Sequence, residues 1–284
     1  MGAVTARWYR FRDGAWNLAD RPYILGIMNV TPDSFSDGGR LNRDPSYQVE
    51  KAHRLCEQGA DGLDLGAEST RPGHRPVPWR EEWERLEPVL RAVRGALPDV
   101  PLSIDTQKAE VAERSLDAGA DIINDIWGFS RDAHMARVVA QAEAGAILMF
   151  NNGDDASLAL TVGEMRDFFC RQLDRAGEAG IPPERVLIDP GIGFRVQGDA
   201  SWAILRQLQP LQGLGAGILV GHSRKRFLGR AADVPEARDR DLSTAVVSAL
   251  VALEGADVLR VHDPASTRQA LLIANQWRMA RGQN

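Results

Sequence analysis

Polar side chains recur where short apolar segments of this 284-residue chain end. Carboxylates and amides from several segments suit a flat heterocycle rich in N–H and C=O groups, because a carboxylate accepts the N–H donors. We assign this chemistry to Asp105, Asn124, Asp189 and Lys225, which come from four different segments. The other polar residues at such ends are Asn29, Asp64, Ser103, Asp125, Met149 to Asn152 as a group, Ser223, Arg260, His262 and Asp263.

Cationic side chains form a second group, and they favour an anionic ligand. Arg71 lies in STRPG, and Arg224 and Lys225 lie in HSRK. Arg260 and His262 are two residues apart, so on one strand they point to the same side. That spacing is suitable for clamping a diphosphate.

The stretch from Ile24 to Gly39 begins as an apolar strand, breaks at Pro32 and continues as a polar loop that ends in glycine. Proline cannot continue a central strand, so the strand ends before it. A long polar loop after a buried strand is typical of segments that carry functional groups to the mouth of a site. No His, Asp and Glu cluster with tight metal spacing is evident. We therefore expect any metal to be Mg²⁺, held mainly by ligand phosphates and water, with Asn29 as the protein ligand.

A repeated unit predicts how these residues are positioned: a helical pattern ends in glycine and a short apolar strand follows at once. Buried parallel strands are nearly all apolar, and glycine commonly follows a helix because it tolerates the left-handed conformation. The predicted strands are 24–30, 62–67, 102–106, 122–126, 146–151, 186–190, 218–223 and 258–263. The predicted helices are 46–58, 80–96, 108–118, 132–144, 162–179, 199–212, 241–254 and 265–280.

Alternating strands and helices over this length predict an α/β fold, a single-domain (β/α)8 or TIM barrel spanning residues 1–284. A doubly wound open sheet is the alternative, but it would carry a glycine-rich loop after the first strand, where this chain has NVTPDSF. Aromatic residues around Asp13-Gly14 predict a short hairpin within residues 1–20 that caps the barrel, with Asp-Gly as its turn.

The overall composition excludes several classes of protein. A net charge of −5 argues against a general nucleic-acid binder. No apolar run is long enough to cross a membrane, and the N-terminus lacks the apolar core of a signal peptide. Two widely spaced cysteines, Cys56 and Cys170, do not suggest a disulfide framework or a zinc site. We expect a cytoplasmic protein that acts on small molecules.

Seven segments carry a resemblance to a known family. In order they are MNVTPDSFSDGG, GAESTRPG, SIDTQK, INDIWG, IDPGIGF, GHSRKRFLG and LRVHD. From about Ile24 to the C-terminus the chain resembles the dihydropteroate synthases. The resemblance implies a (β/α)8 barrel, a Mg²⁺ cofactor and a homodimer that is a sulfonamide target. It also implies condensation of 6-hydroxymethyl-7,8-dihydropterin diphosphate with 4-aminobenzoate, giving dihydropteroate and pyrophosphate.

The resemblance also implies roles for individual residues. The pterin site would comprise Asp105, Asn124, Met149, Asp189 and Lys225, and the diphosphate and Mg²⁺ site Asn29, Arg260 and His262. The mobile loops would carry Asp33, Phe35, Asp37, Thr70, Arg71 and Pro72, and the aminobenzoate site Phe194, Lys225 and Arg226. Within this set we expect the catalytic residues to be Asn29, Asp37, Arg71, Asp105, Lys225, Arg260 and His262.

Three positions depart from the commoner pattern of the family. Phe150 follows Met149 where histidine is frequent, Arg195-Val196 replace a small residue and a lysine, and His222 replaces a small or β-branched residue. These departures keep open a pterin-binding paralogue without catalysis. A pterin-dependent methyltransferase domain is a second alternative, because it shares the barrel and the pterin-site carboxylates. Apolar residues of the late helices, such as Leu272 and Trp277, are candidates for a dimer surface, although at helical spacing they also suit a core.

Overall fold

The computed structural model describes residues 7–31, 44–68, 76–151, 161–194 and 196–281. Its strands are β1 Trp8–Phe11, β2 Gly14–Asn17, β3 Tyr23–Asn29, β4 Gly62–Gly66, β5 Leu102–Asp105, β6 Ile122–Asp125, β7 Gly145–Met149, β8 Val186–Asp189, β9 Gly217–Val220 and β10 Val258–Val261. Its helices are α1 Pro45–Glu57, α2 Trp79–Ala96, α3 Ala109–Asp117, α4 Met135–Gln141, α5 Val162–Glu178, α6 Asp199–Leu205, α7 Gln209–Gln212, α8 Arg226–Ala232, α9 Asp241–Leu253 and α10 Pro264–Arg281. No helix in these described ranges is both long and apolar enough to cross a bilayer.

Strands β3 to β10 form a closed barrel in chain order, and β10 pairs with both β9 and β3. Every pairing in this sheet is parallel. The predicted (β/α)8 barrel is therefore confirmed, and the open doubly wound sheet is wrong. Parallel strands bring all their carboxyl ends to one rim, which is where barrel enzymes build their sites.

Several predicted boundaries were wrong. The barrel strands end earlier than expected, so Ser223 and His262 lie just beyond β9 and β10. The predicted helix 199–212 is two helices, because Pro210 near the start of α7 cannot donate the hydrogen bond that a continuous helix needs. Helix α8 was not predicted.

The hairpin was expected, but its turn differs from the prediction. Phe11 pairs with Gly14, so the loop residues are Arg12 and Asp13, and Gly14 is the first residue of β2. A Cβ atom at Gly14 would lie 2.5 Å from the Phe11 ring, so only glycine fits beneath it. The hairpin rings pack on residues near the amino ends of the barrel strands, forming one cluster of Tyr9, Phe11, Trp16, Leu18, Leu25, Ile122, Ile147, Leu187, Leu219 and Val258.

Glycines at helix ends behave largely as expected. Gly59, Gly119, Gly180 and Gly255 all have positive φ. Gly145 does not: it is the first residue of β7, and Glu143 takes the left-handed conformation (φ 51°) before it. Gly145 is glycine for another reason, since a Cβ there would lie 2.5 Å from the Tyr9 hydroxyl.

Candidate active site

A network of charged side chains fills the carboxyl-terminal part of the barrel interior. Arg260, on β10, donates from Nε to Asp64 Oδ2 at 2.5 Å and from a terminal nitrogen to Asp105 Oδ2 at 2.9 Å. Ser103 donates to Asp64 Oδ1 at 2.6 Å, and the Asn124 amide lies 3.3 Å from Asp64 Oδ2. Strands that are distant in sequence thus meet at Asp64, the centre of the network.

Burial has a large effect on the pKa of Asp105. It raises the pKa of this carboxyl to about 7, although Arg260 acts in the opposite direction. One oxygen, Oδ1, is buried without a hydrogen-bond partner among the described residues. A buried acceptor without a donor costs about 1–3 kcal/mol, so the site is built to be completed by a ligand donor.

Asp189, at the end of β8, is a second carboxyl of the site whose pKa is raised by burial. It is 7% exposed and accepts the backbone N–H of Gly191 at 2.8 Å. Burial raises its pKa to about 6, while that N–H and the charge of Lys225 oppose the rise. Met149 ends the neighbouring strand β7, pairs with Asp189 in the sheet and is almost fully buried.

Phe194 and Lys225, which the resemblance assigns to the aminobenzoate site, lie in contact. The Lys225 ammonium lies 4.2 Å from the centre of the Phe194 ring. Gly193 makes this approach possible, because its φ is 83° and a Cβ there would lie 2.5 Å from Lys225 Cδ. Arg226, the first residue of α8, is exposed to solvent next to this pair. An aromatic ring beside two cations suits a small aromatic carboxylate.

His262 lies beyond the end of β10 and contacts Ser223. The Ser223 oxygen accepts the backbone N–H of His262 at 3.1 Å and lies 2.9 Å from His262 Nδ1. Burial and the positive charges of Arg224, Arg260, Lys51 and Lys225 hold the pKa of His262 well below its usual value. The ring is therefore neutral and faces a strongly positive region, as an anion-binding site requires.

The cationic side chains around His262 differ in the hydrogen bonds and ion pairs that they already make. Arg224 makes two hydrogen bonds of 2.7 Å to Asp241, and its backbone N–H donates to Thr244 at 3.1 Å. This pairing fixes the turn in which Arg224 has a φ of 57°. Arg260 is paired inside the barrel, which differs from the free diphosphate clamp expected from its spacing with His262. Lys51 on α1 was not predicted, and burial lowers its pKa to about 8.

Asn29 is the last residue of β3 and is half-buried. Among the described residues no group of three His, Cys, Asp or Glu side chains can hold a metal ion. A single amide oxygen in a cationic region suits Mg²⁺ only when phosphate oxygens and water supply the remaining ligands. The donor set at Asn29 fits a metal that arrives with a diphosphate.

Six predicted site residues lie outside the described ranges, and their placement is not part of the site above. They are Asp33, Phe35, Asp37, Thr70, Arg71 and Pro72.

Two of the three departures from the family pattern pack against helices. The Phe150 ring packs edge-on against Phe168 of α5, with ring centres 5.1 Å apart. His222 Nε2 lies 3.1 Å from the Thr244 carbonyl and 3.0 Å from the Ser248 hydroxyl, both on α9. Burial lowers the pKa of His222 to about 4, so it is a neutral packing residue. Val196 is fully buried, and Arg195 lies outside the described residues.

Two residues of the site, Asp64 and Ser103, were not assigned a role from the sequence. Both were noted only as polar residues of strands. The signal was present in GLDLG, where one acidic residue interrupts an apolar strand. A fully buried aspartate on a barrel strand needs a cationic partner, and the fold supplies Arg260.

Buried carboxylates beside a cationic region, at the carboxyl ends of the strands of a closed barrel, are typical of an enzyme that binds a polar small molecule. The comparisons with known proteins agree. Residues 25–262 match the model of the pterin-binding enzyme family. A dihydropteroate synthase of Synechocystis is 42% identical over 265 residues, which cover 91% of each chain.

Solved structures give the same result. The dihydropteroate synthase of Xanthomonas albilineans with 4-aminobenzoic acid has a TM-score of 0.87 at 37% identity, covering 98% of this chain and 99% of that one. The Yersinia pestis dihydropteroate synthase with a sulfonamide drug complex has a TM-score of 0.88 at 34% identity, covering 96% and 99%. The chain therefore belongs to the pterin-binding enzymes and, among them, to the dihydropteroate synthase family.

Proposed function

We propose that this site condenses 6-hydroxymethyl-7,8-dihydropterin diphosphate with 4-aminobenzoate, releasing pyrophosphate. The observation that carries the proposal is the unpartnered, buried oxygen of Asp105, whose ion-pair partner Arg260 also acts on His262. An acceptor for a heterocycle and a positive region for its anionic substituent lie on adjoining parts of one rim. Family membership supplies the identity of the two substrates.

The pterin ring would bind between Asp105, Asn124 and Asp189, with Met149 against its face. Asp105 and Asp189 would accept ring N–H groups, and Asn124 offers both a donor and an acceptor. Arg260 keeps Asp105 from being an isolated buried charge before the ligand arrives. Lys225, whose charge acts on Asp189, would complete the ring site on the aminobenzoate side.

The diphosphate would lie against His262 and the surrounding cations. When the Ser223 hydroxyl donates to Nδ1, the neutral imidazole carries its hydrogen on Nε2 and can donate it to a phosphate oxygen. Asn29 would hold Mg²⁺ together with the diphosphate. When bound, Mg²⁺ would neutralise charge on the leaving group.

The aminobenzoate would occupy the region of Phe194, Lys225 and Arg226, with its carboxylate toward the cations. Stabilising the departing diphosphate would be the main electrostatic task of the protein, and it would fall to His262 and to the positive charge of Arg260. The pterin delocalises positive charge at its exocyclic carbon, so the aromatic amine can attack without a serine or cysteine nucleophile. Thr70, Arg71, Pro72 and Asp37 are proposed to exclude water from this step.

A turnover assay with both substrates and Mg²⁺ tests the proposal. We expect dihydropteroate and pyrophosphate in equal amounts. Calorimetry gives a second test: aminobenzoate should bind well only after pterin, pyrophosphate and Mg²⁺ are bound, because the first ligands order the site. Binding of pterin without any turnover would instead identify a non-catalytic paralogue and overturn the proposal.

We propose further that two copies associate through α9 and α10. Leu242, Val246 and Leu250 lie one helical repeat apart on α9 and are 75%, 52% and 51% exposed. On α10, which packs against α9, Ile273 and Trp277 are 71% and 58% exposed. A contiguous apolar face of this kind on neighbouring helices suits a self-complementary interface. Sedimentation that shows only monomer at micromolar concentration would reject the dimer.

Two narrower proposals follow from family membership. The aminobenzoate subsite would also accept a sulfonamide, since the Yersinia pestis relative forms a complex with a sulfonamide drug. Competition between a sulfonamide and aminobenzoate tests this directly. We also propose that the chain acts as one domain in the cytoplasm, which fractionation of the source cells would check.

A further inference from the structure

The segment between β9 and α8 contains a tight turn with a left-handed residue that is not glycine. The Lys225 backbone N–H donates to the carbonyl of His222 at 3.2 Å, which closes a four-residue turn. The third residue of this turn, Arg224, has a φ of 57°. Turns that need a positive φ at this position usually carry glycine, because a Cβ atom makes the conformation unfavourable. Contacts around Arg224 must therefore offset the backbone strain.

The N-cap and first turn of helix α9 supply those contacts. The Arg224 backbone N–H donates to the Thr244 hydroxyl at 3.1 Å, and the Arg224 carbonyl accepts a hydrogen bond from Arg240 at 3.0 Å. The guanidinium of Arg224 makes two hydrogen bonds of 2.7 Å to Asp241. The backbone donor, the backbone acceptor and the side chain of Arg224 are thus all held by one helix end.

The groups that hold Arg224 are themselves bonded to their surroundings. Arg240 is buried, and its Nε donates to the carbonyl of Val234 at 2.9 Å. The Thr244 hydroxyl, which accepts from Arg224, donates its own hydrogen to the Arg240 carbonyl at 2.8 Å. Gly229 of α8 leaves room for Arg240, since a Cβ atom there would overlap the guanidinium. The turn therefore rests on a support whose position is already set.

The residues on either side of Arg224 belong to the two halves of the site. The Ser223 hydroxyl lies 2.9 Å from Nδ1 of His262, and the Lys225 ammonium lies 4.2 Å from the centre of the Phe194 ring. Because the chain reverses direction in the turn, the side chains before and after Arg224 face different parts of the rim. The conformation of one residue thus sets the positions of two site residues.

The Arg224 side chain is already engaged, which argues against a direct contact with a ligand. Two parallel hydrogen bonds to one carboxylate fix the plane and the direction of a guanidinium. Freeing the guanidinium for an anion would leave Asp241 without this partner and would remove a support of the left-handed backbone. The side chain is therefore suited to holding the turn.

We propose that Arg224 is a positioning residue for both substrates and that Asp241 holds it in that role. Paired with Asp241, Arg224 keeps the turn in its left-handed conformation, and with it the directions of Ser223 and Lys225. This inference rests on the proposed function, because that function assigns the neighbours of Ser223 and Lys225 to the diphosphate and to aminobenzoate. In this scheme Arg224 contacts neither substrate.

Steady-state kinetics of Arg224→Ala and Arg224→Gly test the proposal, because the two variants lose the same charge and differ in backbone strain. Alanine keeps the Cβ atom without the ion pair, so the turn should relax and the KM values for both substrates should rise about tenfold. Glycine adopts this φ without strain, so both KM values should stay within about threefold of wild type. Equal losses for the two variants would mean that the guanidinium binds a substrate, and would overturn the proposal.

Asp241→Ala gives a second test, because it removes the partner and leaves Arg224 in place. This variant should raise both KM values about tenfold, and adding Arg224→Gly to it should bring them back to within about threefold of wild type. A merely structural role for Asp241 predicts no such rescue. An absent rescue, or a loss confined to the pterin diphosphate, overturns the proposal.

Two exposed residues of the same loop provide matched controls. Asp239→Ala removes an acid whose side chain is 60% exposed, two residues before Asp241. Asp233→Gly introduces glycine at another left-handed position, where φ is 54°. Neither variant should change either KM by more than about twofold.

Amide hydrogen exchange supplies a readout that does not depend on turnover. The protection factor of the Lys225 amide, which closes the turn, should fall about tenfold in Arg224→Ala and in Asp241→Ala and stay within about twofold in Arg224→Gly. If wild-type protein makes no dihydropteroate, the proposed function fails, and this exchange alone then decides whether the ion pair holds the turn. Equal protection in the wild type and the three variants overturns the proposal.

Discussion

The Ser223 hydroxyl lies 2.9 Å from Nδ1 of His262 and also accepts the backbone N–H of the same residue at 3.1 Å. The Ser223 oxygen has two acceptor lone pairs and one hydrogen, so it can accept a hydrogen from Nδ1 or donate its own to that atom. When it donates, the neutral imidazole carries its hydrogen on Nε2 and can offer it to an anion. Ser223 thus holds the His262 ring and its backbone through one oxygen.

Replacing Ser223 with alanine should affect the diphosphate end of the substrate. Losing the hydrogen bond that holds the His262 ring costs about 1 kcal/mol, or about fivefold in the KM for the pterin diphosphate. Affinity for the pterin alcohol should remain within about twofold of wild type. Ser115→Ala, which removes a buried hydroxyl on α3, is the control. Equal losses for both ligands would show that Ser223 supports the fold.

Binding of the pterin alcohol should weaken as the pH falls from about 8 to about 5. Burial raises the pKa values of Asp105 to about 7 and of Asp189 to about 6, so both are protonated at the acid end and lose acceptor capacity. Calorimetric titration at several pH values measures this. Asp105→Asn should bind about ten- to hundredfold more weakly and depend less on pH, since an amide neither titrates nor carries charge. A dissociation constant that Asp105→Asn leaves unchanged would make Asp105 a structural residue.

Arg260→Met should destabilise the protein at neutral pH, because Asp64 and Asp105 would remain buried without their cation. We expect a loss of about 3–5 kcal/mol in the free energy of unfolding. Without Arg260 the folded-state pKa of Asp105, already raised by burial, rises further above its unfolded value. The deficit is therefore present at about pH 8 and shrinks as the pH falls and Asp105 is protonated.

Urea unfolding at the two pH values measures the Arg260 effect. Arg91→Met, which removes an exposed pair with Glu87, should cost less than about 1 kcal/mol at either pH. A deficit for Arg260→Met that grows toward acid pH would contradict the assigned ion pairs. The same variant should weaken binding of the pterin alcohol as well as of the diphosphate, because Arg260 contacts a pocket carboxylate.

Gly193→Ala should disrupt the aminobenzoate subsite. The new Cβ would lie 2.5 Å from Lys225 Cδ, and φ at this position is 83°, so the Lys225 side chain must leave Phe194. We expect a loss of about 1–2 kcal/mol in stability and a higher KM for aminobenzoate. Gly177→Ala is matched to it, because a Cβ at this helical position meets nothing within 4 Å. That control should be neutral or stabilising by about 0.5 kcal/mol. A normal KM for Gly193→Ala would remove Lys225 from the aminobenzoate site.

The amino-acid sequence by itself determined the barrel, because a barrel follows from local patterns that repeat. Short apolar strands, helices and the glycines between them each report on their own neighbourhood, and parallel strands of this kind close in chain order. The polar residues at strand ends, such as Asn124 and Asp189, were visible for the same reason. Their convergence followed from the fold class without any knowledge of side-chain contacts.

Pairings between distant residues were decided only by the tertiary structure. Arg260 and Asp64 are 196 residues apart, and nothing local to either sequence indicates that the guanidinium turns inward to the carboxylate. The Phe150 and His222 departures looked like changes to the site, yet their rings face α5 and α9, because a side chain's direction depends on strand phase and helix packing. The pairing of Arg224 with Asp241 arises likewise from packing, which places the start of α9 beside the turn that follows β9.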